Sequence, residues 1–147
     1  MSQRDLTGVR VLIVEDDAEA REFIRTVLEL ESATVTTAGS AWQALKMLGG
    51  FAPHVIVSAL FLPDEDGCWL IQTARAAMLH TRMPATVIVT GSSEPWHRTR
   101  CFLAGCDAFL TKPIDALELC NVVARLASTI ALPLPPRRRP PKPGDAT

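Results

Sequence analysis

A chain of 147 residues is long enough for one domain with a full core and too short for two ordinary ones. Its apolar fraction of 48% and charged fraction of 21% suit a soluble globular protein, and no apolar run is long enough to form a membrane-crossing helix, so no membrane role is expected. Residues 1–130 carry 11 Lys and Arg against 15 Asp and Glu, and residues 131–147 carry four against one; an acidic body argues against a DNA-binding fold, with weak salt-sensitive contacts open only to the tail.

In chain order, residues 1–8 read as a polar lead without the apolar core and cleavage site of a signal peptide, so a cytoplasmic location is expected. Residues 9–14, VRVLIV, form an apolar β-branched run that ends abruptly in Glu15, Asp16 and Asp17, which is a buried strand followed by an acidic loop. Over 18–30, Ala20, Phe23, Ile24, Val27 and Leu28 recur at helical spacing, with Asp17 placed as the N-cap. Residues 34–38, TVTTA, read as a second strand; Ser40 then caps a helix over 41–48 that Gly49 and Gly50 are expected to stop.

Residues 53–67, PHVIVSALFLPDEDG, open as a third buried strand and close in a turn rich in Pro, Asp and Gly. Ligands of open α/β sheets bind beyond the carboxyl ends of the strands, so chemistry is expected near residues 58–62, where the side chain that stands is Ala59. A helix over 68–79 follows, then a fourth strand over 86–90 and a polar turn over 91–95. The remaining elements are a helix over about 96–104 stopped by Gly105, a short strand over 108–110 broken by Lys112 and Pro113, and a helix over 116–130 with Leu119, Val122, Val123, Leu126 and Ile130 inward. Five strands alternating with five helices imply an α/β domain over 9–130 whose parallel sheet is covered on both faces. Residues 131–147, ALPLPPRRRPPKPGDAT, contain six prolines and read as an extended or disordered tail or linker, with a proline-rich or basic docking peptide as the alternative.

Polar groups stand at the carboxyl ends of three strands: Glu15 and Asp16 after the first, Thr90 after the fourth, Lys112 after the fifth. Two carboxylates at that edge suit a hard cation such as Mg²⁺, and a hydroxyl with an ammonium suits a phosphoryl group. Cys68, Cys101, Cys106 and Cys120 lack metal or redox spacing and read as buried reduced thiols. His54, His80 and His97 form no ligand cluster and read as lone surface or strand-edge residues. Trp42 and Trp69 are expected to be core or half-buried, whereas Trp96 fits an exposed partner contact and a packed lid equally.

With these segments in place, VLIVEDD (11–17), PHVIVSALFLPDEDG (53–67), VIVTG (87–91) and DAFLTKP (107–113), the sequence resembles the receiver domain of bacterial two-component response regulators, CheY-like proteins. The resemblance implies a (βα)₅ flavodoxin-like fold, a doubly wound five-stranded parallel sheet of order 2-1-3-4-5. It implies transfer of a phosphoryl group from a sensor histidine kinase or phosphotransfer protein to an aspartate on the third strand. Glu15 and Asp16 then match the Mg²⁺-holding acids, Thr90 the switch hydroxyl, Lys112 the phosphate-pairing lysine and Phe109 the aromatic switch. A downstream protein is expected on the fourth helix, fifth strand and fifth helix, including Trp96 and Phe109, and a homodimer is left open as a further partner.

The departure is at the acceptor. In the family pattern this aspartate lies four residues before the proline of the acidic turn, here Pro63, which places Ala59 there. Alanine has no oxygen nucleophile, so the chain is expected to lack phosphotransfer activity and to bind Mg²⁺ weakly or not at all. Ser58 is expected to point away by strand alternation, and Asp64 lies beyond Pro63. Lys112 is expected to pair with Asp16 in the absence of an acceptor. Retention of Glu15, Asp16, Thr90 and Lys112 favours an engineered or recent loss of the aspartate; the alternative is a natural pseudo-receiver acting as a phosphorylation-independent interaction module.

Overall fold

The computed structural model describes residues 5–79 and 81–129 and alternates strand and helix throughout: β1 (Arg10–Val14), α1 (Ala18–Leu30), β2 (Thr34–Ala38), α2 (Ala41–Phe51), β3 (Val55–Ala59), α3 (Gly67–Ala77), β4 (Ala85–Thr90), α4 (Pro95–Ala104), β5 (Ala108–Thr111) and α5 (Ala116–Thr129). The strands form one parallel sheet in the order β2-β1-β3-β4-β5, as the alternation implies. Every residue of β3 and β4 is buried, which is why those two segments carry apolar side chains without alternation. The threonine-rich β2 lies at an edge, where half-buried β-branched side chains fit.

The two sheet faces hold separate cores. Val11, Ile13, Val55, Val57, Val87 and Val89 meet Ile24 and Leu28 of α1 and Leu119, Val123 and Leu126 of α5. On the other face Leu12, Val14 and Ile56 meet α2 and α3, while Leu60 and Ile88 join Cys68, Ile71, Cys101 and Ala104 between α3 and α4. Each fully buried aliphatic side chain contributes ~1.5–3 kcal/mol, so burial rather than intrinsic helix propensity holds these helices in place.

Several sequence expectations are corrected. Helix α2 runs through Gly49 and Gly50 to Phe51 and ends at Ala52, whose φ is 51°. Helical glycine costs ~1 kcal/mol, and the packing of Phe51 against the α2–α3 core offsets it. Phe23 is exposed, because α1 buries a narrow stripe centred on Ile24 and Leu28. Trp42 is 53% exposed rather than core or half-buried, since the inner face of α2 is filled by Ala41, Ala44 and Leu48. Leu6, ahead of residue 9, is fully buried and donates its N–H to the Glu31 carbonyl at 2.7 Å, so the packed domain takes in part of the expected lead. The expectations for His80, Ile130 and residues 131–147 lie outside the described residues.

All four cysteines are free and buried. Cys68 and Cys101 approach to 3.1 Å between sulfurs. Burial first, then the neighbouring Cys68 and Asp107, pushes the Cys106 thiol up to about 12, and burial raises Cys101 in the same direction. The reactive species is the thiolate, so the folded chain is expected to leave these four thiols unmodified by an aromatic disulfide reagent at neutral pH, with all four reacting after denaturation. Rapid labelling of the native chain would contradict the packing.

Candidate functional site

The carboxyl ends of the parallel strands share one edge, and the polar residues of that edge arrive on different strands. Glu15 follows β1 directly, and its N–H donates to the Ala38 carbonyl at 3.0 Å. Its side chain is buried, and the carboxylate accepts the Asp17 N–H at 3.2 Å and the Lys112 ammonium at 3.2 Å. Lys112 follows β5 and is anchored by its own N–H, which donates to the Thr90 carbonyl at 2.8 Å. A desolvated anion gains most from a counter-charge, which is the physical reason Lys112 meets Glu15 and not the expected Asp16. Asp16 is exposed on the loop.

Ala59 closes β3, buried, opposite Val89 of β4 and one step beyond the Val14–Ser58 pairing with β1. By register it therefore stands alongside Glu15 at the carboxyl edge. Ser58 lies on the α2–α3 side of the sheet and its hydroxyl donates to the Ala59 carbonyl at 2.8 Å. Thr90 is buried at the end of β4, and its hydroxyl accepts the Ser92 N–H at 3.1 Å within the following loop. Phe109 is half-buried and packs on the α3–α4 cluster, with the Arg98 guanidinium 5.9 Å from its ring. Trp96, in the first turn of α4, is 59% exposed, which favours the partner-contact reading over the packed lid.

Three features of the edge were missed in the sequence. His97 is buried and its Nδ1 lies 2.6 Å from the Ser92 hydroxyl, which corrects the expectation of a surface histidine. Asp66 caps α3 at the Trp69 N–H and pairs with Arg100 at 3.0 Å. Asp64 crosses to α2 and accepts the N–H groups of Ala41 at 3.0 Å and Trp42 at 2.9 Å, while Ser40 takes the Gln43 N–H. No local spacing signals a cap that comes from 22 residues away.

Burial pushes the Asp64 carboxyl up, but the N–H donors of Trp42, Ala41 and Glu65 together outweigh it and hold the group below its usual 3.8. A carboxylate whose folded value is depressed contributes its stability above the unfolded value and loses it as pH falls through the lower, folded value. Asp64→Ala is therefore expected to cost ~1 kcal/mol at pH 7, the scale of a lost helix cap. In denaturant melts the deficit relative to the unaltered chain should shrink once pH drops below about 3.8. A deficit constant down to low pH would show that the carboxylate charge is not what α2 uses.

Mg²⁺ prefers oxygen ligands and keeps several waters. Of the two acids at the edge, Glu15 is occupied by Lys112 and the Asp17 N–H, and Asp16 is exposed. Among the described residues no three His, Cys, Asp or Glu side chains gather as a metal site. This donor set does not fit a tight Mg²⁺ site. No helix among the described residues is long and apolar enough to cross a membrane.

Residues 11–124 match the family model described as the response regulator receiver domain. The chain is 35% identical over 118 residues to an uncharacterized 14.6 kDa protein in the sodA1 3′ region of Leptolyngbya boryana, a match covering 80% of this chain and 89% of that one. It is 30% identical over 119 residues to response regulator Rre1 of Synechocystis, covering 80% of this chain and 51% of that protein; this chain thus spans about half the length of that relative. The crystal structure of a CheY-like response regulator receiver domain protein from Methanospirillum hungatei superposes with a TM-score of 0.75 at 24% identity, covering 83% of this chain and 95% of that one.

Proposed function

Because this chain belongs to the response regulator receiver domain family, we propose that it is a two-component receiver in a form that cannot accept phosphate, with Ala59 at the acceptor position. The observation that carries the reading is the polar edge itself: Glu15, Lys112 and Thr90 surround the end of β3, and the residue that ends β3 offers only a methyl group. In-line phosphoryl transfer needs an oxygen nucleophile at that point. Ser58 lies on the other face of the sheet, and Asp64 is committed to the N-terminus of α2. Family members are signalling proteins rather than classical enzymes, and they interact with histidine kinases or phosphotransfer proteins.

On this reading Glu15 and Asp16 are the remnant of a Mg²⁺ site, Thr90 and Phe109 are the switch pair, and Lys112 would have paired with the phosphoryl oxygens. Thr90 stays engaged with Ser92, because no phosphoryl group rewards its movement toward the site. The downstream protein meets α4, β5 and α5, where Trp96, Phe102, Leu103 and Leu117 are exposed. Retention of the four polar residues supports a recent or engineered loss of the aspartate. A natural pseudo-receiver is supported by a different observation: with Lys112 on Glu15 and Thr90 on Ser92, the polar groups are satisfied without phosphate.

The test is incubation with a small acyl phosphate and Mg²⁺, followed by mass measurement. No acid-labile phosphoryl group is expected on this chain, and one found at any residue would overturn the proposal. The two forms separate once Ala59→Asp is made: phosphorylation should change partner binding if the switch is intact, and leave it unchanged in a pseudo-receiver.

A further inference from the structure

The amino edge of the sheet, the end away from Glu15 and Ala59, holds a cavity of about 350 Å³ between the last turns of α2 and α3. Arg10 at the start of β1, His54 just before β3 and Pro84 just before β4 bring three strands to it, and Leu48, Pro53 and Met78 make much of its wall apolar. Ligand cavities run from ~300 to ~1,000 Å³ and combine an apolar lining with a few placed polar groups, so this one has room for a small ligand.

Its charged groups are all of one sign. Arg10 Nε donates to the Phe51 carbonyl at 3.0 Å and the Ala52 carbonyl at 2.8 Å, which fixes the guanidinium against the end of α2 and leaves Nη1 and Nη2 without a hydrogen-bond or ion-pair partner among the described residues. His54 Nδ1 accepts the Arg10 N–H at 2.9 Å, so the neutral ring carries its proton on Nε2 as a donor. Burial, and then Arg10, holds that imidazole below its usual 6.5, which keeps it neutral at pH 7. Arg82 adds a second guanidinium to the lining. No Asp or Glu lines the cavity, although residues 1–130 carry 15 acids against 11 bases. Both helices end here, and a helix C-terminus carries about half a negative charge that repels an anion. Arg10 meets that of α2 directly through its two carbonyl bonds. A capping role is complete with those bonds, and the N–H groups on Nη1 and Nη2 are left over. This end-on pair of nitrogens matches the two oxygens of a carboxylate. An inorganic anion would gain nothing from Leu48, Pro53 and Met78, whereas an aliphatic chain would cover them.

We propose that this cavity binds a small organic monocarboxylate with an aliphatic body, its carboxylate on Nη1 and Nη2 of Arg10 beside His54 and Arg82, and its chain against Leu48, Pro53 and Met78. The site owes nothing to the phosphoryl chemistry proposed for the opposite edge. Its ligand touches the ends of α2 and α3 together, so binding stabilises the folded chain.

The experiment titrates the full chain with octanoate and follows the NMR signals of Arg10, His54 and Met78, with thermal melts alongside. Saturable shifts at these residues and a Tm that rises with octanoate concentration are expected, while the Trp96 indole and the Lys112 amide stay in place. Octan-1-ol and octylammonium keep the chain and lose the negative charge, and acetate keeps the charge and loses the chain; each should bind at least ~10-fold more weakly. Arg10→Gln retains a side-chain N–H for the α2 carbonyls and should weaken octanoate by ~10-fold or more, the scale of a lost charge-assisted hydrogen bond. Arg82→Gln, at an exposed position, should weaken it by a smaller factor. If Arg10→Gln does not fold, Arg82→Gln and the uncharged and cationic analogues decide the matter. Octan-1-ol or octylammonium binding as well as octanoate, acetate binding as well as octanoate, shifts that fall outside the cavity, or unchanged affinity in the folded variants would overturn the proposal.

Discussion

Ala59→Asp is expected to form an acid-labile acyl phosphate with a small phosphodonor and Mg²⁺, and the unaltered chain is expected to form none. The new carboxylate would stand where β3 ends, one step past the Val14–Ser58 pairing and so beside buried Glu15. Its oxygen attacks phosphorus, the donor's leaving group departs, and Lys112, 3.2 Å from Glu15, is the cation near enough to meet the incoming charge. The same substitution sets a third carboxylate beside Glu15 and Asp16, with Lys112 as their near counter-charge. In chelator the Asp variant should therefore be the less stable, by ~0.5–1 kcal/mol for a partly solvated cluster. Adding Lys112→Ala to the variant should abolish most phosphorylation and lower stability further, because Glu15 is then buried without its partner. If the Asp variant stays unphosphorylated while folded, Ala59 is not the acceptor position; if it is clearly more stable in chelator, the repulsion argument fails.

How far the sequence led depends on the range of the signal. Strands β1, β3 and β4 were legible because they are buried on both faces and must be apolar without alternation. Asp17 and Ser40 were legible as caps because a cap acts within three residues. The candidate site residues Glu15, Thr90 and Lys112 stand directly at strand ends, where parallel topology alone brings them to one edge. What escaped was decided by contacts across the fold. Lys112 selects Glu15 over its neighbour Asp16 through burial, which adjacent residues in a sequence do not disclose. Asp64 looked like a turn residue, and its bonds to α2 depend on where the loop after β3 lies. Gly49 and Gly50 looked like a stop, yet Phe51 beyond them has a core to pack against.

Gly67 belongs with the features hidden in the sequence, and its replacement is expected to have the largest structural effect. The loop after β3 folds back so that the Gly67 N–H donates to the Leu60 carbonyl at 2.7 Å and Phe61 bridges Asp66. This return presses Gly67 against the strand it has just left. A Cβ there would lie 2.6 Å from the Ala59 carbonyl oxygen and 2.8 Å from the Cδ1 of Ile88. Ile88 can turn its terminal methyl aside, but the Ala59 oxygen is backbone in a central strand and cannot. Alanine at the start of a helix gains up to ~1 kcal/mol over glycine in propensity and unfolded-state entropy. Overpacking against fixed backbone costs ~1–3 kcal/mol, and here it also pushes out the turn that delivers Asp64 to α2. Gly67→Ala should therefore destabilise the chain by ~1–3 kcal/mol in denaturant melts. Gly49→Ala and Gly50→Ala should instead stabilise it by up to ~1 kcal/mol each, since both sit inside α2 with nothing within 4 Å of the added carbon. A Gly67→Ala chain as stable as the original would mean that the loop yields freely and that the end of β3 is not held by the turn that follows it.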